Sequence, residues 1–217
     1  VLKNLNQKPL LQWMIERVQR CEEVDKIVIA TSTSNDDDAI SEWCNNHNIH
    51  CYRGKLDNVL ARFYHAATYY QADIIIRLTA DCPIIDPKVI DEHIRFYRQN
   101  NYDNVSNGPE MTYPDGMGVE VFSYLTLQKV FQQATLASEK EHVTAFIYNH
   151  PKEFQLYNVK YQQDFSWIRV TVDYPEDFTL IERLVNGLLP NSEFTLEDII
   201  NYVKKHPNMI NINNQYS

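Results

Sequence analysis

The amino-acid sequence predicts an α/β fold, with a mainly parallel sheet and helices on both of its faces. Short apolar runs alternate with helical patterns along most of the 217 residues, which is typical of parallel strands joined by helical crossovers. Three consecutive isoleucines, Ile74 to Ile76, indicate a strand that is buried on both faces. No repeat or linker marks a second domain, so we interpret residues 1–217 as one domain.

The composition narrows the possible classes of function. The formal net charge of -9 at pH 7 argues against a dedicated nucleic-acid surface, which needs a basic stripe. The four cysteines form no C-x-x-C pair, so the spacing of a zinc site is absent. No apolar run approaches the roughly 20 residues that span a membrane. We therefore expect a cytoplasmic protein that binds small molecules, and neither nucleic acid nor a membrane.

The first third of the chain predicts strands over residues 26–30 and 49–52, each followed by a helix. Asp36 to Asp38 suit the N-terminus of the first of these helices, although three aspartates also suit a metal site. Asp57 and Arg62 suit a cap and a surface charge of the second helix, and they equally suit a place near the strand ends that face the ligand. Another helix begins near Pro9, almost at the start of the sequence. Because an α/β domain normally begins with a strand, we expect a first strand and its loop to precede Val1 in the native protein.

The strand over Ile74–Ile76 is the centre of the predicted sheet. It turns polar and stops near Pro83, and Asp86 with Pro87 provides an N-cap and a first helical residue. Asp81 is therefore expected just past the carboxyl end of a central strand, which is where open α/β sheets bind ligands. Arg77 and Thr79 precede it by four and two residues.

The rest of the chain continues the alternation, with a loop over residues 108–118. Helices are predicted over residues 87–99, 125–134 and 139–149, from residue 174, and after a Thr195 cap; strands are predicted over 102–107, 119–122, 154–161 and 168–173. Residues 204–217 are expected to form a partly frayed tail. Glu120 suits a solvated charge or a binding role. His142, on a buried helix, suits a hydrogen-bonded structural residue or a ligand.

Two segments share one pattern, R-x-T-x-D-x-P. They run from Arg77 to Pro83 and from Arg169 to Pro175. The aspartate of the first is Asp81, and that of the second is Asp173. If both aspartates meet at the ligand-binding edge, they can hold Mg²⁺ and leave positions for phosphate oxygens and water. The alternative is that both only cap helices.

Longer motifs give these residues a family context. Residues 79–87, T-A-D-C-P-I-I-D-P, resemble the T-(G/A)-D-C-P-L-I-D-P signature of the spore-coat polysaccharide cytidylyltransferase-like proteins, which are relatives of the CMP-octulosonate and acylneuraminate synthetases. Further similar stretches are I-A-T-S at 29–32, R-G-x-x-D-N-V-L-A-R-F at 53–63, Y-P-D-G at 113–116, V-E-V-F at 119–122, E-H-V-T at 141–144 and T-V-D-Y-P-E-D at 171–177. The resemblance covers roughly residues 1–185.

The resemblance implies a nucleotide-diphospho-sugar-transferase (GT-A-like, Rossmann-like) fold. It implies transfer of CMP from CTP to a sugar or sugar acid with release of pyrophosphate, in surface or spore-coat polysaccharide biosynthesis, by a possible homodimer. Carried over residue by residue, it implies Mg²⁺ binding by Asp81 and Asp173 and a catalytic role for Arg77. It implies nucleotide binding by Thr79, Asp57, Arg62 and Thr31, and sugar binding by Glu120, His142 and Arg169.

Two departures from the family pattern bear on activity. The family's R-M-x-S-x-R-L-P-G-K phosphate loop would precede Val1, so we expect weak nucleotide binding and little turnover by these 217 residues alone. Gly118 stands where the family has an aspartate before V-E-V-F. Two other classes therefore stay open: a glycosyltransferase on the same fold that uses a nucleotide-sugar donor, and a non-catalytic assembly module.

Overall fold

The computed structural model describes residues 1–216, which form an α/β structure. The strands are β1 (Asn4–Leu5), β2 (Lys8–Pro9), β3 (Val28–Ser32), β4 (His50–Gly54), β5 (Ile74–Arg77), β6 (Asn104–Ser106), β7 (Glu120–Ser123) and β8 (Leu156–Asn158). The helices are α1 (Leu10–Val18), α2 (Asp38–Asn46), α3 (Val59–Tyr69), α4 (Pro87–Gln99), α5 (Tyr124–Gln133), α6 (Ala137–Glu141), α7 (Ala145–Asn149), α8 (Pro175–Leu188) and α9 (Leu196–Lys205). Short 3₁₀ helices cover Asn35–Asp37, Pro207–Ile212 and Asn214–Tyr216.

The strands pair in both directions. β1 and β2 form an antiparallel pair, β3 and β4 form a parallel pair, and a four-stranded sheet has the order β5-β7-β6-β8. β5 is therefore an edge strand of its sheet, and the prediction that it lies at the centre is wrong. In that sheet β7 runs antiparallel to both β5 and β6, whereas β6 and β8 are parallel. The predicted α/β class is confirmed, but the pairing is mixed where a mainly parallel sheet was expected. Alternating hydrophobicity identifies a strand such as β7 without fixing its direction.

Helices cover both faces of the sheet, as predicted, and the isoleucine strand shows why. Ile75 packs in one apolar cluster with Leu60, Phe122 and Leu127, while Ile74 and Ile76 pack in the other. Successive side chains of a strand point to opposite faces, so three apolar residues in a row serve both clusters. The second of these clusters is built around residues of α1, α4, α8 and α9.

The predicted strand over 168–173 is irregular. It forms one parallel bridge, between Arg169 and Asp115, flanked by hydrogen bonds from the Asp115 amide to the Ile168 carbonyl and from the Val170 amide to the Asp115 carbonyl. Gly116 allows this close approach: it has a φ of +107°, and a Cβ there would lie 2.6 Å from the backbone carbon of Val170. Only glycine adopts such a conformation readily.

Helix starts were predicted with mixed success. Asp86 caps α4 by accepting from the Lys88 amide at 2.9 Å, and Thr195 caps α9, as expected. The prediction that Asp57 caps α3 is wrong, because the Asn58 side chain accepts the Ala61 amide at 2.9 Å instead. The aspartates 36–38 also make no side-chain cap of α2.

The last described residues differ from the expected frayed tail. After α9 the chain forms two 3₁₀ turns. Met209 in the first turn and Asn213 between the two are buried, and the ring of Tyr216 stacks on that of Tyr174 at 3.9 Å between centroids. The predicted helix over 139–149 is likewise divided into α6 and α7, with His142 between them. Across residues 1–216, no helix is both long enough and apolar enough to cross a bilayer.

Candidate active site

Asp81 and Asp173 lie on two chain segments that run side by side. Asp81 follows the end of β5 by four residues, and Asp173 precedes the first residue of α8 by two. The Val172 amide donates to the Asp81 carbonyl at 2.8 Å, and the Thr171 hydroxyl donates to the same carbonyl at 3.3 Å. The Asp81 residue is half-buried and Asp173 is exposed. The segment after β5 therefore lies beside a segment from a distant part of the sequence, and each of the two carries a carboxylate.

Arg169 is the centre of a carboxylate cluster. Its side chain is 9% exposed and bonds Asp177 through Nε at 2.9 Å and Nη2 at 3.0 Å. The same guanidinium donates to Asp115 at 2.7 Å and to Asp173 at 2.6 Å. Charge-assisted bonds of this kind fix geometry as well as adding energy. Arg169 was predicted near the sugar, and the structure places its guanidinium among the carboxylates of Asp115, Asp173 and Asp177.

The pKa values of two carboxylates in this cluster are shifted in opposite directions. Burial opposes ionisation of Asp177, but hydrogen bonds from Arg169, from Asn213 and from two backbone amides outweigh it and lower its pKa to about 2. Burial raises the pKa of Asp115; Arg169 opposes this increase, and the charges of Asp173 and Asp81 add to it. Asp115 is therefore within electrostatic range of both predicted metal ligands.

The donor set at this edge fits a magnesium ion. Mg²⁺ takes oxygen ligands, keeps several waters, and is usually bound by one or two carboxylates together with substrate phosphates. Asp81 and Asp173 provide two carboxylates, and one oxygen of Asp173 bonds Arg169. Residues 1–216 contain no group of three or more His, Cys, Asp and Glu side chains arranged to hold a metal. Asp81 and Asp173 alone would thus supply only part of a coordination shell.

Glu120 lies at the centre of a second polar network, on β7. Its Oε2 accepts from Arg77 at 2.5 Å, directly across from it in the sheet, and its Oε1 accepts from Thr144 at 2.7 Å and Tyr148 at 2.8 Å. The Glu120 side chain is 13% exposed. Burial and the Glu120 carboxylate raise the pKa of Tyr148, which keeps its hydroxyl a donor. Glu120 is therefore not the solvated charge that the sequence suggested.

A cavity of about 830 Å³ opens beside this network. It is lined by Arg77, Thr79, Ser106, Asn107, Gly108, Pro109, Glu110, Gly118, Val119, Glu120, Tyr148, Leu156, Tyr157 and Asn158. Thr79 is two residues before Asp81, so the cavity adjoins the end of β5. A Cβ atom at Gly118 would meet no atom within 4 Å, so there is open space beside this part of the wall. The cavity volume lies within the range of small-molecule sites.

Thr31 and Arg62 lie near each other at the end of β3. Thr31 is buried, and Arg62 Nη1 approaches the neighbouring Ala30 carbonyl at 3.5 Å. The buried Nε of Arg62 has no hydrogen-bond partner within residues 1–216. Gly54 makes room for this side chain, since a Cβ there would lie 2.6 Å from Cγ of Arg62. These residues do not line the cavity.

The other predicted site residues are more peripheral. Asp57 is exposed in the turn before α3, and His142 is exposed between α6 and α7. Neither lines the cavity. His142 precedes Thr144, whose hydroxyl bonds Glu120, by two residues.

Sequence reasoning missed several residues of the two networks. Asp177 follows Asp173 by four residues, as Asp173 follows Arg169, and this spacing was a usable signal. Thr144 and Tyr148 are also four residues apart. The bond between Arg169 and Asp115 spans 54 residues and leaves no local signal.

Comparisons with known proteins agree with this architecture. A family model described as cytidylyltransferase matches residues 1–204. An uncharacterized protein, MJ1063, of Methanocaldococcus jannaschii is 32% identical over 216 residues, which cover 98% of this chain and 87% of that protein. The spore coat polysaccharide biosynthesis protein SpsF of Bacillus subtilis is 28% identical, with 95% of this chain and 88% of SpsF covered.

Solved structures share the fold. A cytidylyltransferase from Leptospira borgpetersenii superposes with a TM-score of 0.93 at 28% identity, over 97% of this chain and 89% of that one. A CMP:2-keto-3-deoxy-manno-octonic acid synthetase complexed with CTP superposes with a TM-score of 0.64 at 16% identity, over 87% and 92% of the two chains. The second likeness shows the fold alone, and it supports the nucleotide-diphospho-sugar-transferase type expected from the sequence.

Proposed function

The chain belongs to the cytidylyltransferase family, and from this premise we propose that it transfers CMP from CTP to a hydroxyl of a sugar or sugar acid. The observation that carries the proposal is the backbone bond from the Val172 amide to the Asp81 carbonyl, which holds the segments of Asp81 and Asp173 side by side after β5. Thr79, two residues before Asp81, lines a cavity of suitable size. In this reaction the acceptor oxygen forms a bond to the α-phosphorus. The bond from that phosphorus to the bridging oxygen breaks, pyrophosphate leaves, and the hydroxyl proton passes to solvent.

The residues divide this task by position. Asp81 and Asp173 would hold Mg²⁺, which when bound offsets the charge of the phosphates. Arg169 holds the Asp173 carboxylate in place, since it fixes one of its oxygens at 2.6 Å. Thr31 and Arg62 are assigned to the nucleotide on the β3 side. Arg77, Thr79 and Glu120 are assigned to the acceptor side, because they line the cavity.

The biological context is also part of the proposal. SpsF, a relative over most of its length, is named for spore coat polysaccharide biosynthesis. We assign this chain by analogy to the activation of a sugar for a surface or spore-coat polysaccharide, in the cytoplasm.

Calorimetric titration of CTP, ATP, GTP and UTP with and without Mg²⁺ tests the proposal. We expect the wild-type protein to prefer CTP and to need Mg²⁺ for tight binding. Asp81→Asn and Asp173→Asn should each lower the Mg²⁺-dependent affinity by about 10–100-fold, because each removes one of two protein ligands.

Asp73→Asn is the matched control, since Asp73 is exposed and lies just before the opposite end of β5. It removes the same charge and should leave CTP affinity at the wild-type value. An Asp81→Asn protein with an unchanged response to Mg²⁺ would refute the metal assignment. A preference for a nucleotide sugar over CTP would favour a glycosyltransferase, and binding of no nucleotide would favour an assembly module.

A further inference from the structure

We propose that Asn213 is a positioning residue of the candidate active site, and that it acts through Asp177 to hold the Asp173 carboxylate in place for Mg²⁺. This inference rests on the proposed function, because it takes Asp173 as a metal ligand. Asn213 lies beyond residue 204, where the match to the family model ends, and in none of the motifs that resemble the family. Its role would bring the last turns of the described chain into the site.

The side chain of Asn213 joins these turns to the carboxylate cluster around Arg169. Asn213 lies between the two 3₁₀ turns that follow α9, and only 2% of it is exposed. Its Nδ2 donates to Oδ1 of Asp177 at 2.7 Å and to the Arg169 carbonyl at 3.2 Å. A side-chain amide carries two N–H donors, so both donors of Asn213 are used on this cluster.

Asp177 carries the constraint from Asn213 to Asp173. The Asp177 side chain is fully buried, so it acts on the site through its neighbours. Its Oδ2 accepts from the backbone amides of Asp173 and Tyr174, each at 3.0 Å. It also pairs with Arg169, whose Nη2 donates to Oδ2 of Asp173 at 2.6 Å. Both the backbone and the side chain of Asp173 are therefore held by residues that Asn213 contacts.

Asp173 needs such support more than its neighbours in the cluster. Its side chain is 47% exposed, whereas that of Arg169 is 9% exposed. A carboxylate at the surface samples several rotamers, and a metal that binds it must select one of them at a cost in entropy. Residues that orient a metal ligand reduce this cost, which is why their loss weakens metal binding.

Tyr216 makes a second contact between the C-terminal turns and the same segment. Its ring stacks on that of Tyr174 at 3.9 Å between centroids, with 11° between the planes, and its hydroxyl donates to Glu176 at 3.3 Å. Tyr174 directly follows Asp173 in the chain. The turns therefore hold the start of α8 both from the buried side, through Asn213, and at the surface, through Tyr216.

Mn²⁺ binding in the presence of CTP, measured by electron paramagnetic resonance, tests the proposal. We expect Asn213→Ala to weaken Mn²⁺ binding by about 10-fold, because Asp173 is no longer held in one orientation. The matched control is Asn208→Ala, since Asn208 is an exposed asparagine of the first turn and should leave the affinity at the wild-type value. All proteins are compared at a temperature at which circular dichroism shows them folded, so a loss of stability does not enter the affinity.

A double-mutant cycle separates positioning from a general structural role. If Asn213 acts through Asp173, then Asn213→Ala should change Mn²⁺ affinity by less than about 2-fold when Asp173→Asn is already present. An equal loss in both backgrounds would show that Asn213 supports the fold without positioning Asp173, and would overturn the proposal. Equal Mn²⁺ affinities of Asn213→Ala and wild type would overturn it as well.

Hydrogen exchange in the wild-type protein tests the same coupling if Asn213→Ala does not fold. Coupling is reciprocal, so Mg²⁺ with CTP should slow exchange of the Asn213 and Tyr216 amides, which donate to the Ile210 and Asn213 carbonyls. This protection should be absent in Asp173→Asn. Unchanged exchange in wild type that binds Mg²⁺ and CTP would overturn the inference and leave the proposed function intact. Wild type that binds no Mn²⁺ with CTP would instead refute the metal assignment of the proposed function, and this inference with it.

Discussion

The two segments with the pattern R-x-T-x-D-x-P are alike in sequence and different in structure. In the first, Arg77 is the last residue of a regular strand, faces Glu120 across the sheet and lines a cavity. In the second, Arg169 lies in an irregular segment and bonds three carboxylates. Arg77 lines a cavity, whereas the guanidinium of Arg169 bonds carboxylates of the protein itself. The comparison teaches that the carboxylates around an arginine, rather than its place in a motif, decide its use.

The strongest test of this difference removes each arginine in turn. Arg169→Met leaves Asp177, whose side chain is fully buried, without its ion-pair partner, and should cost about 3–5 kcal/mol of unfolding free energy. Arg77→Met should cost only about 1–3 kcal/mol, because Glu120 keeps its bonds to Thr144 and Tyr148. Urea unfolding of both variants measures the two losses. Equal losses would contradict the division into scaffold and cavity arginines.

A pH experiment sharpens the comparison further. The pKa of Asp177 is lowered from 3.8 to about 2, so the folded state binds fewer protons than the unfolded state between these values. Stability from Asp177 is therefore full above pH 3.8 and should fall by about 2 kcal/mol as the pH drops through about 2. Urea unfolding between these pH values should show a steeper loss in wild type than in Asp177→Asn. Parallel curves for the two proteins would contradict this assignment.

The smallest expected effect concerns the two threonines of the pattern. Thr171 donates to the Asp81 carbonyl, whereas Thr79 lines the cavity. Thr171→Val should therefore cost about 0.5–1.5 kcal/mol of stability, with a smaller cost for Thr79→Val. Thr79→Val should instead raise the KM for the acceptor, measured by pyrophosphate release. If Thr171→Val raised that KM more than Thr79→Val, the roles of the two segments would have to be exchanged.

Local signals predicted the elements that local interactions determine. The apolar run over Ile74–Ile76 gave β5, Asp86 and Pro87 gave the start of α4, and Thr195 gave the start of α9. Each of these depends on side chains within a few residues of one another. The sequence also indicated that Asp81 and Asp173 follow similar segments, and the structure joins these segments by the Val172 amide.

Long-range contacts account for what could not be predicted. Glu120 looked solvated because its own strand alternates, yet Arg77 and Tyr148 reach it from 43 and 28 residues away. The end of the described chain looked too polar to order, yet Asn213 donates to Asp177 at 2.7 Å. Such partners are brought together only by the fold, so no short pattern contains them.

Gly116 has a consequence for anyone who redesigns the loop over residues 108–118. With backbone atoms of Val170 and Thr171 at 2.6–2.8 Å from the position of a Cβ, residue 116 tolerates no side chain. Gly108 and Gly118, in contrast, have open space around the same position. A library that varies this loop to change the acceptor can therefore randomise residues 108 and 118. It must keep glycine at residue 116, because the close backbone approach there holds Asp115 next to Arg169.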